Sequence, residues 1–232
     1  MGFNKKIVGR IYPWHSRLLR ALNDNALFLA WAKKNDDCRA FSARDGAGAL
    51  REFYEYIDRT IAGGGQPVDY LEFGVAGGRS LRLWSQVNSH SKSRFFGFDS
   101  FEGLPDDWEW ALGGMPKGAF STHGQAPDIG DERVNLIKGL FQDSLPPFLE
   151  SFMPRSPLIV HLDCDLYSSA LYCLTQLDWF LDGGVVIFDE FDNLLHEFAA
   201  LRDYADSYRR SYRVLARFEY FKKIAIQVTG HY

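Results

Sequence analysis

Residues 69–80 read DYLEFGVAGGRS. A short apolar run with one carboxylate inside it, Glu72, breaks at Gly74, and Gly77-Gly78 precede a segment of helical spacing. Glycines permit a tight turn and close approach of a ligand to the backbone. Strand, glycine turn and helix together open a βαβ unit. The dinucleotide fingerprint GxGxxG is absent, because Val75 and Ala76 follow Gly74 and the next two glycines are adjacent.

Four similar runs follow: RFFGFDS (94–100), VNLIKGL (134–140), PLIVHLDCDL (157–166) and GGVVIFDEF (183–191). Helix-periodic segments lie at 79–88, 144–153, 168–181 and 195–208. The runs are apolar throughout, as strands buried on both sides are. This alternation predicts an α/β fold with a mostly parallel sheet and helices on both faces. YRVLARF (212–218) and KKIAIQVT (222–229) lie too close for a crossover helix, so they predict an antiparallel hairpin. Seven strands are expected in all.

Upstream, 16–34 and 49–62 have helical spacing, and Gly63-Gly64-Gly65 with Pro67 end the second segment. Residues 1–65 therefore read as a helical arm or cap, and 66–232 as the ligand-binding domain. One connection, 101–133, is too long for a plain loop and holds Trp108, Trp110 and Phe120. It is expected to form a lid.

The 232 residues are 46% hydrophobic and 24% charged, which excludes a disordered chain. A net charge of −4 argues against nucleic acid as the partner. Aromatics reach 16%, with 19 Phe, enough for a large core. Three cysteines without CxxC spacing point to a reduced, cytoplasmic setting and away from zinc. No apolar run is long enough to span a bilayer, so no integral membrane contact is expected. Residues 1–20 carry five basic and no acidic side chains; a solvated helical face is the reading of this stretch. Leu27, Phe28, Leu29 and Trp31 exceed what one helix layer needs, so burial against a second copy or the lid is expected, with a homo-oligomer, a homodimer in the simplest case, as the result.

Ligands of open α/β sheets bind outside the carboxyl ends of the strands. Those ends are polar here. Asp99 closes the second run about twenty residues after the glycine turn, where an acid takes ribose hydroxyls. Glu72 is a carboxylate at a buried-type position, costly unless paired. Asp163, Asp165, Asp189, Glu190 and Asp192 crowd the ends of the fourth and fifth runs, and neither motif holds a cation to balance them. Such crowding is relieved by a hard cation such as Mg²⁺. In extended backbone Asp163 and Asp165 face one way; the plainer alternative is that Asp165 and Asp192 cap helices. His161 is expected to be a strand-interior residue with satisfied hydrogen bonds. His123 and His196 are the histidines better placed to meet a substrate.

LEFGVAGGRS, FFGFDSFEGLP, IKGLFQDSLP, VHLDCDLYSS and GGVVIFDEF, in this order, resemble the macrocin O-methyltransferase family over roughly residues 50–210. The resemblance implies a Rossmann-like class I fold and transfer of a methyl group from S-adenosylmethionine to a small-molecule hydroxyl, such as a sugar of a glycosylated natural product. It implies that Glu72, Gly74, Ala76, Gly77 and Ser80 surround the methionine part of the cofactor. Asp99, with Ser100, would hold the ribose, and the stretch Gly139 to Asp143 would border the adenine. Asp163, Asp189 and Glu190 would hold Mg²⁺, although the family usually shows two consecutive aspartates where Asp189-Glu190 stand. Asp165 is the candidate base and Asp163 the catalytic carboxylate beside it. Catechol-type relatives place a lysine where Leu166 stands, which argues against a catechol mechanism. A nucleotide-dependent dehydrogenase or a non-catalytic binding protein on the same fold are the rival readings.

Overall fold

The computed structural model describes residues 22–46, 48–110 and 113–231. The basic stretch 1–20 lies outside the described residues. The chain divides into two compact units, 1–37 and 38–232.

In the first unit residues 22–34 form helix α1. Phe28 stacks on Trp31 with ring centroids 6.2 Å apart, and Leu22, Leu27 and Leu29 are exposed.

The second unit is built on one sheet. Its parallel strands are β2 (Asp69–Phe73), β3 (Arg94–Asp99), β6 (Val134–Lys138), β7 (Leu158–Leu162) and β8 (Val185–Phe188). Two long strands, β9 (Arg210–Phe218) and β10 (Lys223–His231), form the antiparallel hairpin, and β10 inserts between β8 and β9. Among the described residues the sheet has eight strands rather than the expected seven, in the order β1 (Arg39–Phe41), β9, β10, β8, β7, β2, β3, β6. The additional strand, β1, runs parallel to β9 at the edge. Three residues leave no alternation to read; Phe41 alone turns inward, edge-on to Phe53 at 5.7 Å.

Helices cover both faces. On one, α2 (Ala49–Ala62) and α3 (Arg79–Val87) set Phe53, Tyr54, Ile57, Leu81 and Trp84 against Tyr70, Ile159 and Ile187 of the sheet. So α2, read from sequence as part of the N-terminal arm, packs into the core of the second unit. On the other face lie α4 (Phe141–Leu149), α5 (Tyr167–Leu177) and α6 (Glu197–Tyr208). There Phe73 and Phe98 stack at 4.8 Å, with Phe141 and Phe148 edge-on to them. Such rings hold large apolar area in fixed geometry, which accounts for the aromatic richness of the chain. Within 101–133, β4 (Trp108–Trp110) and β5 (Gly113–Met115) pair into a small antiparallel ribbon, a local structure the Gly- and Asp-rich sequence did not announce.

Candidate functional site

The carboxyl ends of β2, β3, β7 and β8 meet at a cavity of about 310 Å³. One wall of it is the turn after β2. Gly74 sits at φ 93° and Gly78 at φ 72°, both left-handed, and Ala76 joins them at φ 43°. At Gly74 the glycine is obligatory, because an added Cβ would collide with the backbone carbonyl of Asp163 in the neighbouring strand end.

Asp99 fastens this turn. Its Oδ2 accepts the N–H groups of Val75 and Ala76, each at 2.7 Å, and its Oδ1 accepts that of Phe101 at 2.6 Å. A carboxylate offers about four acceptor positions. Oδ2 is filled by the turn, so only Oδ1 has room for a further hydroxyl, and a grip on two ribose hydroxyls through both oxygens is not open. Asp99, Ser100, Gly74, Ala76 and Gly139 line the cavity. Gly77, Ser80 and Asp143 are not among its lining residues. Nor is Glu72, which is fully buried: Tyr70 donates to its Oε2 at 2.5 Å and Ser80 to its Oε1 at 2.7 Å.

At the opposite wall stand Asp163, Asp165 and Glu190. Asp165 is not in extended backbone. Its φ is 60°, in the left-handed region that Asp tolerates better than most residues, and the next amide closes a tight turn onto the Cys164 carbonyl at 2.6 Å. Neither Asp165 nor Asp192 caps a helix, since the N-caps of α5 and α6 are Leu166 and His196. Burial raises the Asp163 carboxyl to about 6, with His161 and Lys223 opposing the rise. Burial, then the charge of Glu190, raises Asp165 to about 7. Glu190 also rises through burial, against the pull of Lys222.

Behind this wall runs a buried polar chain. His161 Nδ1 lies 2.7 Å from the Tyr70 hydroxyl, and its Nε2 lies 3.0 Å from Asp189 Oδ1. As expected from sequence, His161 is interior and satisfied. Lys223 of β10 closes the chain by pairing with Asp189. Burial lowers Lys223 to about 8, although Asp163 and Glu72 pull it upward.

The expected metal ligands do not all converge. Asp163 and Asp189 join His161 in a group whose donor atoms lie within 4.8 Å of one another. Glu190 is outside it and faces Lys222 at 3.3 Å. Glu197, missed in the sequence, is fully buried; its Oε2 accepts the Glu190 N–H at 3.0 Å, and its Oε1 has no partner among the described residues. Burial raises it well above the usual carboxylate range.

The segment 101–133 contributes Gly103, Leu104, Pro105, Trp108 and Phe120 to the cavity lining. Trp108 and Leu104 pack with Leu166 at the start of α5. His196 ties the ribbon down: its Nδ1 accepts the Tyr167 N–H at 3.1 Å, and its Nε2 donates to the Glu109 carbonyl at 2.8 Å. His196 therefore anchors rather than lines the cavity, and His123 is not among the lining residues.

A family model described as Macrocin-O-methyltransferase (TylF) matches residues 35–221, most of the chain. The chain belongs to the macrocin O-methyltransferase family. None of the curated proteins matches. Among solved structures, the O-methyltransferase NovP is similar at a TM-score of 0.56 and 22% identity, covering 78% of this chain and 80% of that one. CalS11, a calicheamicin methyltransferase, matches at 0.56 and 20%, covering 77% of each chain. A structure described as cmcI with Mg-SAM matches at 0.54 and 15%, covering 80% of this chain and 72% of that one. These likenesses establish the class I methyltransferase fold. Among the described residues no helix is long and apolar enough to cross a membrane.

Proposed function

We propose that this member of the family transfers a methyl group from S-adenosylmethionine to a hydroxyl of a small molecule, with a sugar of a glycosylated natural product as the acceptor class. One observation carries the reading. A single cavity of about 310 Å³ joins the glycine turn at Gly74–Ala76 to the carboxylates Asp163 and Asp165, with an aromatic segment over it. The fit to the cofactor rests on the small residues Gly74, Ala76, Ser100 and Gly139, which together line one side of the cavity. CalS11, a TDP-rhamnose 3'-O-methyltransferase, supports a sugar acceptor.

When bound, S-adenosylmethionine supplies a methyl group on a positively charged sulfur. Gly74, Ala76, Ser100 and Gly139 shape the wall that positions it, and Asp99 keeps that wall rigid. An alcohol is a weak nucleophile, so its proton must leave as the new bond forms. Asp165 faces the cavity and is raised to about 7, which suits a general base at neutral pH. Trp108 and Phe120 exclude water from the reacting oxygen and give the acceptor an apolar face.

The sequence-expected Mg²⁺ is supported by the His161, Asp163 and Asp189 group and by the Mg-SAM form of cmcI. The residues do not fit it as arranged, since Glu190 turns to Lys222 and Asp189 is engaged by His161 and Lys223. The exposed Leu22, Leu27 and Leu29 of α1 support a homo-oligomer, and the buried thiols of Cys164 and Cys173 suit a reducing cytoplasm.

Calorimetry with S-adenosylhomocysteine and with NAD tests the cofactor. Binding of the first alone is expected; binding of NAD alone overturns the reading. Transfer of a labelled methyl group from S-adenosylmethionine to glycosylated acceptors, and its loss in Asp165→Asn, tests the chemistry.

A further inference from the structure

The register of the last strand sets two lysines against two acids. In the antiparallel pair β8–β10, Ile224 stands opposite Phe188. One and two steps onward, Lys223 comes opposite Asp189 and Lys222 opposite Glu190. The Phe191 amide donates to the Lys222 carbonyl at 2.6 Å, which carries the pairing past the strand end. The side chains follow the backbone. Lys223 Nζ pairs with Asp189 Oδ1, and Lys222 Nζ lies 3.3 Å from Glu190 Oε1. Lys223 is 10% exposed at its side chain, and Lys222 is 52% exposed. The family match ends at residue 221, so both lysines lie just beyond it.

A carboxylate-bound divalent ion needs converging oxygens with free lone pairs. Here Asp189 Oδ1 already serves His161 Nε2 and Lys223. Glu190 Oε1 is paired with Lys222, and Glu190 lies outside the group formed by His161, Asp163 and Asp189. An ammonium group has three donors and no acceptor, so Lys223 cannot share an ion's coordination shell and repels a cation beside it. A hard ion entering between Asp163 and Asp189 would have to displace a buried, paired ammonium.

We propose that Lys223 is the resident cation of the Asp163–Asp189 cluster, with Lys222 holding Glu190 outside it, and that the chain binds no divalent metal there. This goes beyond the proposed function and does not depend on methyl transfer being the reaction. Lys223 lies outside the cavity lining and so acts through Asp189, as a positioning residue.

The test uses the full chain purified through chelator and titrated with Mn²⁺, which takes the same oxygen donors as Mg²⁺. Paramagnetic resonance reads the free ion. The wild-type chain and Lys223→Arg should leave the free Mn²⁺ signal undiminished. Lys223→Met should take up one ion per chain, and adding Asp189→Asn to it should abolish that uptake. Stoichiometric Mn²⁺ binding by the wild-type chain, lost in Asp189→Asn, would overturn the proposal. So would a folded Lys223→Met that takes up no ion, folding being read by circular dichroism. The wild-type titration stands whether or not the variants fold. Calorimetry with S-adenosylhomocysteine on the same samples separates the two readings: its failure removes the methyltransferase proposal and leaves the metal result intact.

Discussion

Asp165→Asn separates the chemistry of the site from its energetics. The substitution keeps shape and, at φ 60°, backbone tolerance, because Asn adopts the left-handed region readily. What it removes is a charge in a buried place. The carboxyl is raised from 3.8 to about 7, chiefly by burial and then by Glu190. At about 1.36 kcal/mol per pH unit, the ionised form is disfavoured in the native state by about 4 kcal/mol, an upper bound before local relaxation. The sign follows from proton binding. Between about pH 4 and 7 the native state holds this proton and the unfolded state does not. Stability therefore falls as pH rises through that window and levels off above it. The amide has no such dependence. Its stability relative to wild type should be nearly unchanged at pH 4 and should gain about 2–4 kcal/mol by pH 8. Urea unfolding at several pH values, followed by tryptophan fluorescence, measures this directly. At the same time methyl transfer should drop by about 10²-fold or more, the usual worth of a positioned base. The acidic limb near pH 7 in the wild-type rate profile should vanish. A stability difference that does not change with pH would refute the electrostatic reasoning. Unimpaired turnover would refute the assignment of Asp165 as base.

Gly74→Ala forces a Cβ onto the Asp163 carbonyl from a left-handed backbone and should cost about 2–5 kcal/mol in denaturant unfolding. Gly77→Ala, with no atom within 4 Å of the new Cβ, should stay within about 0.5 kcal/mol. Asp99→Asn turns an NH₂ group toward amides that now donate to the carboxylate. It should lower stability by about 2–4 kcal/mol and S-adenosylhomocysteine affinity with it, and intact stability with lost affinity would contradict the clamp. His196→Ala unties the ribbon from α5. It should expose 101–133 to limited proteolysis and raise KM for the acceptor several-fold while S-adenosylhomocysteine affinity holds.

The five parallel strands were legible because each is a continuous apolar run ending in a polar turn. The carboxylates were legible because acids crowded at the ends of buried strands must be paired or serve a ligand. What escaped depended on pairing partners. β1 is too short to carry a period, and only its neighbour β9 makes it a strand. Tyr70 reads as one more aromatic of a buried run; its hydroxyl matters because His161 stands on the next strand. Lys223 was missed because the hairpin was read as the end of the sheet. Once β10 lies against β8, Phe188-Asp189-Glu190 and Ile224-Lys223-Lys222 run in opposite directions, and the charge match is visible in the letters alone. Asp99 was read as a hand for a ligand; its bonds to the Val75, Ala76 and Phe101 amides could not be read from sequence, because they depend on how the turn folds back on the strand end.

That bonding sets how the cavity meets its first visitor. The loop at Val75 and Ala76 is held by two hydrogen bonds to the Asp99 side chain, whose other oxygen takes the Phe101 amide. Binding here carries no ordering cost for the loop, and encounter need not wait for a rare conformer. The cofactor should dock onto this wall at a rate limited by its entry past the aromatic segment, not by rearrangement of the wall itself. A slow phase in stopped-flow binding would then belong to residues 101–133, and loosening that segment would change the rate of arrival more than the affinity once seated.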